Sequence, residues 1–178
     1  MQEGQAGRPV LLLDWGNTLM RETPGAAGPM ATWSHVEAIP HVHEALSSLR
    51  PTFVIALATN AQASGEVDIR QALARVGLDR LVDRVYGFRV IGHKKPEPAF
   101  FRFVLHDLGL AASQAVMVGD SLENDVLGAN ASGIRAVWFD EGGQDSREGP
   151  LHTTIHDLSD LPAAVARLAP DLVVPSPR

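Results

Sequence analysis

The chain has no cysteine, so neither a disulfide nor a thiolate nucleophile is available to it, and this suits a reducing compartment. It has no apolar run of membrane-spanning length, and residues 1–9 lack the basic-then-apolar pattern of a signal segment. A cytoplasmic protein with no membrane partner is therefore the expectation. Basic residues are also in deficit: 15 Lys and Arg stand against 21 Asp and Glu, for a net charge of -6. That excludes a broad basic surface and makes nucleic acid an unexpected partner. Neither an internal repeat nor a shift in composition marks a second domain. The seven histidines show no metal-ligand spacing.

What is there suffices for one packed domain. The 178 residues are 45% hydrophobic and 20% charged, ordinary for a globular chain large enough to bury a core. Val10-Leu11-Leu12-Leu13 is a short apolar run that stops at Asp14 and a turn-forming Gly16-Asn17-Thr18, the pattern of a buried strand. Residues 20–38, rich in Gly, Pro, Ala and Thr, read as a flap or long loop. Pro40 suits a first helical position, with Val42, Ala45, Leu46 and Leu49 as the apolar stripe behind it. Residues 52–58 form a second strand ending at Thr59-Asn60, and residues 66–76 a helix stopped by Gly77. A weaker strand over 85–90 is followed by a helix over 98–108, closed by Gly109. Residues 115–118 are a fourth strand leading into Gly119-Asp120. Ser121 caps the next helix, residues 134–139 are a fifth strand, and a final helix covers about 158–168.

Alternating strands and helices predict an α/β fold: a Rossmann-like, doubly wound parallel sheet of about five strands within residues 9–169, flanked by helices. Asp14, Thr59 and Asp120 then share the carboxyl edge of the sheet, where such folds bind ligands.

The chemistry available there is specific. A carboxylate can attack phosphorus and divide one hard displacement into two easier ones. The approach of an anion to a phosphate needs cations and oriented donors, which Mg²⁺ and a lysine can provide. Asp14 and Asp120 offer metal oxygens. Lys95, in Lys95-Pro96-Glu97-Pro98, offers the ammonium, although a lysine before a helix is more often simply solvated. Asn124 and Asp125 sit one turn into the helix after Asp120. They either orient that site or merely suit a helix start. Thr59-Asn60 are either phosphate donors or ordinary turn residues, and Thr18 either orients Asp14 or merely caps the turn.

Taken in order, Asp14-x-x-x-Thr18, Thr59-Asn60, Lys95-Pro96 and Gly119-Asp120-Ser121-x-x-Asn124-Asp125 resemble the four motifs of the haloacid dehalogenase-like superfamily. The resemblance runs over nearly the whole chain. It implies a Mg²⁺-dependent phosphohydrolase with Asp14 as nucleophile and Asp14, Asp120 and the Gly16 carbonyl on the metal. It further implies Thr18, Thr59, Asn60 and Lys95 on phosphate, with Asn124 and Asp125 behind them. The short spacing from Asp14 to Thr59, and from Thr59 to Lys95, leaves no room for a sizeable cap domain.

In one position the chain departs from the pattern. Most phosphatases of the superfamily carry a second Asp two residues after the nucleophile as general acid and base, and here that residue is Gly16. A positioned acid or base is typically worth about 10²–10⁴-fold. Three expectations follow: a phosphorylated substrate with a good leaving group or its own acid, a substitute such as His35, Glu37 or His41 from near the flap, or a phosphate-sensing module with little turnover. Metal-free haloacid dehalogenation fits less well, because the Tyr at that position and the helical cap of those enzymes are both missing. Trp33 and Met30 give the flap apolar residues that could meet a second copy of the chain or pack on their own domain.

Overall fold

The computed structural model describes residues 7–173. Its centre is a fully parallel six-stranded sheet. The strands are β1 (Val10–Leu13), β2 (Val54–Thr59), β3 (Arg84–Gly87), β4 (Ala115–Gly119), β5 (Arg135–Phe139) and β6 (His152–Ile155). They lie side by side in the order β3-β2-β1-β4-β5-β6. Strand β1 pairs with β2 on one side and β4 on the other, Leu13 opposing both Leu57 and Val118. Successive crossovers run outward from β1 to β3, then return to its other flank at β4. The topological switch therefore lies between β1 and β4, and a crevice opens beyond their carboxyl ends.

Why these strands are buried runs is visible in β1. Leu11 and Leu13 belong to one apolar cluster, with residues of α1 (Val42–Leu49), α2 (Glu66–Arg75) and α6 (Leu161–Leu168). Val10 and Leu12 point to the opposite cluster, with Phe100, Phe101 and Val104 of α4 (Pro98–Leu108) and Ala129 of α5 (Gly128–Ala131). A strand covered on both faces has no solvent side, so its sequence is continuously apolar rather than alternating.

The sixth strand was not expected from the sequence. His152-Thr153-Thr154-Ile155 has no apolar run, because β6 is an edge strand with only Thr153 and Ile155 buried. Its polar residues are held laterally instead: His152 Nδ1 lies 2.7 Å from Asn130 Oδ1, and the Thr153 hydroxyl donates to Glu148 at 3.0 Å. Pro40 does not open α1. His41 takes a left-handed φ of 63°, so the helix starts at Val42. Strand β3 ends at Gly87, and the remainder of the expected strand becomes the one-turn helix α3 (Phe88–Ile91), closed by Gly92 at φ 76°.

The flap over 20–38 is a loop with tied ends. Met20 bridges Ala38, Arg21 N–H donates to the Glu37 carbonyl, and Ile39 N–H donates to the Leu19 carbonyl, both at 2.9 Å. Its middle is a single tight turn, Met30–Thr32, fixed from α2 by the Arg75 guanidinium, which donates to the carbonyls of Ala31, Trp33 and Ser34. Met30 is buried in the chain's own apolar cluster and Trp33 packs against it. Among the described residues there is no large cap.

One close approach connects fold and site. Helix α5 begins at Gly128, and a Cβ there would stand 2.7 Å from Pro96 Cβ and 2.8 Å from its Cα. Since one of these atoms is backbone, the Lys95-Pro96 turn has to move to admit a side chain. Gly128→Ala is expected to cost about 1–3 kcal/mol as overpacking, read from the urea midpoint at constant slope. An unchanged midpoint would show that the turn yields freely.

Candidate active site

Asp14 follows β1 directly, and its N–H donates to the Val118 carbonyl at 2.9 Å, so the residue is anchored at the junction of β1 and β4. Lys95 enters from the turn before α4 and is buried, with a side chain 1% exposed. Its ammonium bridges two carboxylates: Asp14 Oδ1 at 2.7 Å and Asp125 Oδ1 at 2.6 Å. Asp125, equally buried, also accepts from the Ser121 N–H through Oδ2 at 3.0 Å.

Two supports make this arrangement possible. Asn60, at the end of β2, clamps the Lys95 backbone: its Nδ2 donates to the Lys95 carbonyl and its Oδ1 accepts from the Lys95 N–H, both at 2.8 Å. Gly119 makes room for Asp125, whose Cβ would lie 2.6 Å from any Cβ at 119. After Ser121, which caps through its hydroxyl on Asn124 N–H at 3.2 Å, the chain winds as a π-helical segment, Leu122–Leu127, before α5. Such segments occur frequently at functional sites.

Asp120 completes the cluster. Its carbonyl accepts from Trp138 Nε1 at 2.9 Å, while its carboxylate makes no hydrogen bond or ion pair among the described residues. Oxygens of Asp14, Asp120 and Asp125 lie within 4.8 Å of one another. Three carboxylates around one ammonium leave an excess of negative charge. Burial, then the charges of Asp14 and Asp125, pushes the Asp120 carboxyl up to about 7. Burial also raises Asp125, to about 6, against the pull of Lys95. For Lys95 burial opposes the charged form, but the two carboxylates outweigh it and the pKa is raised. An all-oxygen donor set with surplus negative charge fits a hard divalent cation such as Mg²⁺.

These residues line an open cavity of about 370 Å³. Thr59, Asn60, Lys95, Gly16, Asn124 and Asp125 all line it. Thr59 Oγ1 accepts from Ala61 N–H at 3.1 Å, which leaves the hydroxyl proton available. Thr18 does not reach the cavity: it is fully buried, and its hydroxyl has no hydrogen-bond partner. Neither orienting Asp14 nor capping the turn describes it. Nor do His35, Glu37 and His41 line the cleft; His41 instead lies 2.7 Å from Asp157. Five cleft residues escaped sequence reading in that role: Glu22, Ser121 and the Gln62–Ser64 rim, the last supported by Arg89 on the carbonyls of Gln62 and Ala63.

The Asp120 carboxyl has a measurable signature in metal-free protein. Between its ordinary value near 4 and the folded value near 7, the folded state holds a proton that the unfolded state has released, so stability falls as pH rises across that window. Asp120→Asn is neutral throughout. With chelator present, the variant's melting temperature minus that of wild type should grow steadily from pH 4 to 8. At pH 8, Mg²⁺ should raise the wild-type value more than the variant's. A difference independent of pH would contradict this assignment.

A sequence model described as haloacid dehalogenase-like hydrolase matches residues 27–139. The chain is 38% identical over 115 residues to a ribulose-1,5-bisphosphate 5-phosphatase of Halopiger xanaduensis, an alignment covering 62% of this chain and 47% of that protein. It is 39% identical over 94 residues to a phosphoserine phosphatase of Thermus thermophilus, covering 52% and 36%. The chain thus spans between a third and a half of those relatives' lengths. By structure it is similar to an uncharacterized protein from Listeria monocytogenes serotype 4b, with a TM-score of 0.80, 28% identity, and coverage of 90% of this chain and 98% of that one. The family match extends over more than half the residues and takes in the motifs at Thr59-Asn60, Lys95-Pro96 and Gly119–Asp125 on the parallel sheet that carries them: this chain belongs to the haloacid dehalogenase-like hydrolases.

Proposed function

We propose that the protein is a Mg²⁺-dependent phosphohydrolase that cleaves phosphate monoesters through an aspartyl-phosphate on Asp14. The observation that carries this reading is the Lys95 ammonium held between Asp14 and Asp125 beside the unpartnered carboxylate of Asp120. Lys95 engages Asp14 Oδ1, fixing the carboxylate and leaving Oδ2 without a partner among the described residues for attack on phosphorus. Asp14, Asp120 and the Gly16 carbonyl would hold the metal, which neutralises phosphate charge when bound. Thr59 and the Asn60 backbone would donate to phosphoryl oxygens, and Lys95 would balance the charge that builds there. Asn124 and Asp125 would keep Asp120 and Lys95 in place.

The charge of the cleft narrows the substrate. Lys95 is the single cation among the described residues that line it, against Asp14, Glu22, Asp120 and Asp125, while Trp15, Met30 and Trp33 add apolar wall. After a metal ion and one phosphate are accommodated, no cation remains for a second anionic group. We therefore infer an ester whose alcohol is uncharged or cationic and offers an apolar or aryl face. Phosphoserine and ribulose bisphosphate, the substrates named for the relatives, carry a further carboxylate or phosphate. The same surplus of negative charge disfavours a haloacid, itself a carboxylate.

Purified protein should release nitrophenolate from p-nitrophenyl phosphate only with Mg²⁺, and Asp14→Asn should lower that rate by about 10⁴-fold or more, as loss of a nucleophile does elsewhere. Mg²⁺ binding without any turnover would favour the phosphate-sensing alternative.

A further inference from the structure

We propose that Glu22, on the flap, is the general acid and base of this site, supplying beside Gly16 the carboxyl group missing at that residue; the inference rests on the phosphohydrolase reading above. Its first support is position. A Cβ built on Gly16 would collide with the Glu22 carboxyl, at 2.7 Å from Cδ and 2.9 Å from Cγ, with Oε1 also in the way. The side chain of Glu22 thus occupies the space where a side chain of residue 16 would begin.

Its second support is how that position is held. Asn17 adopts a left-handed φ of 54°, which reverses the chain, and its N–H donates to the Met20 carbonyl at 2.7 Å. Asn17 Oδ1 then accepts from the Glu22 N–H at 3.0 Å. Met20 is bridged to both Gly16 and Ala38. Glu22 is therefore returned to Gly16 by a closed turn rather than by a free loop.

The third support is elimination. Of the four acids in the cleft wall, Asp14 is the nucleophile, Asp120 belongs to the metal cluster, and Asp125 is engaged by Lys95 and the Ser121 N–H. The Glu22 carboxyl has no hydrogen bond or ion pair among the described residues. Its neighbour Arg21 is occupied by Glu141 through two contacts of 2.8 Å. Glu22 is exposed, so nothing in the packing requires a carboxyl there.

The reaction balances with this one group. Asp14 Oδ2 bonds to phosphorus, the P–O bond to the leaving alcohol breaks, and the departing oxygen takes the proton of the Glu22 carboxylic acid. Water then attacks the aspartyl-phosphate and gives one proton to the Glu22 carboxylate. The P–O bond to Asp14 breaks, releasing hydrogen phosphate and restoring both side chains.

Glu22→Gln keeps the shape and removes the proton carrier. Turnover of a simple alkyl phosphate, whose alcohol needs protonation, should fall about 10²–10⁴-fold. With p-nitrophenyl phosphate the leaving group departs unaided, so the variant should show a stoichiometric burst of nitrophenolate and then a slow steady state. Mg²⁺ affinity by calorimetry should stay within a few-fold of wild type. Gly16→Asp combined with Glu22→Ala removes the obstruction, and the double variant should turn over alkyl phosphate faster than Glu22→Ala alone. Unimpaired alkyl-phosphate turnover in Glu22→Gln, a more than tenfold loss of Mg²⁺ affinity, or a folded double variant no faster than Glu22→Ala would each overturn the role of Glu22 while leaving an active wild type as a phosphohydrolase. A wild type silent on both esters with Mg²⁺ present would overturn the phosphohydrolase reading, and this role with it.

Discussion

A single buried ammonium is the constraint on which the site depends. Lys95 is almost wholly removed from water, and a lysine there is tolerable only because Asp14 and Asp125 both accept its protons at hydrogen-bond distance. The neighbouring sequence serves that arrangement. Asn60 fixes the Lys95 backbone from the end of β2, Gly119 leaves space for Asp125, and Gly128 lets the Pro96 turn lie against α5. Three strands and two helices thus converge on one charge. The low-dielectric surroundings that make the ion pairs strong also make any imbalance costly, and the cluster has one carboxylate too many. A bound divalent cation would offset that surplus.

The flap turns this cluster into a cleft of definite character. It contributes Met30, Trp33 and Glu22 to the cleft wall, so apolar and acidic side chains both line the cavity that holds Asp14. Because Arg75 pins its middle and Met20–Ala38 ties its ends, the flap is part of the domain rather than a detachable lid. Gly16, having no side chain, is what lets the Glu22 carboxyl lie against the turn that follows β1.

Most of the fold was legible because its signals are local. The apolar runs before Asp14, Thr59 and Asp120 mark strands covered on both faces, and Pro98 and Gly109 bound α4 within a residue. That Asp14, Thr59 and Asp120 share one edge followed once strands alternated with helices, whereas Lys95 was singled out by the motif resemblance. What escaped depends on contacts between distant residues. Strand β6 is defined by its pairing with β5, not by its own hydrophobicity. The Asn60 clamp on Lys95 is a pairing across 35 residues, which a motif reading of Thr59-Asn60 cannot contain. Glu22 lies in a stretch without periodicity, and its path to Gly16 depends on the left-handed conformation of Asn17. The Gly-Asn turn was visible in the sequence; the direction in which it sends the next five residues was not. Thr18 failed for the opposite reason, since its motif position matched while its hydroxyl is buried away from the cavity.

If Asp14 receives the phosphoryl group, acid quenching within one turnover will trap it there. Wild-type protein mixed with Mg²⁺ and an aryl phosphate, quenched in acid within one turnover and digested, should carry one phosphoryl group on the peptide containing Asp14, and neutral hydroxylamine should remove it as it removes acyl phosphates. Phosphate release with no such adduct at any quench time, or with the label on another residue, would rule out Asp14 as the group that receives it.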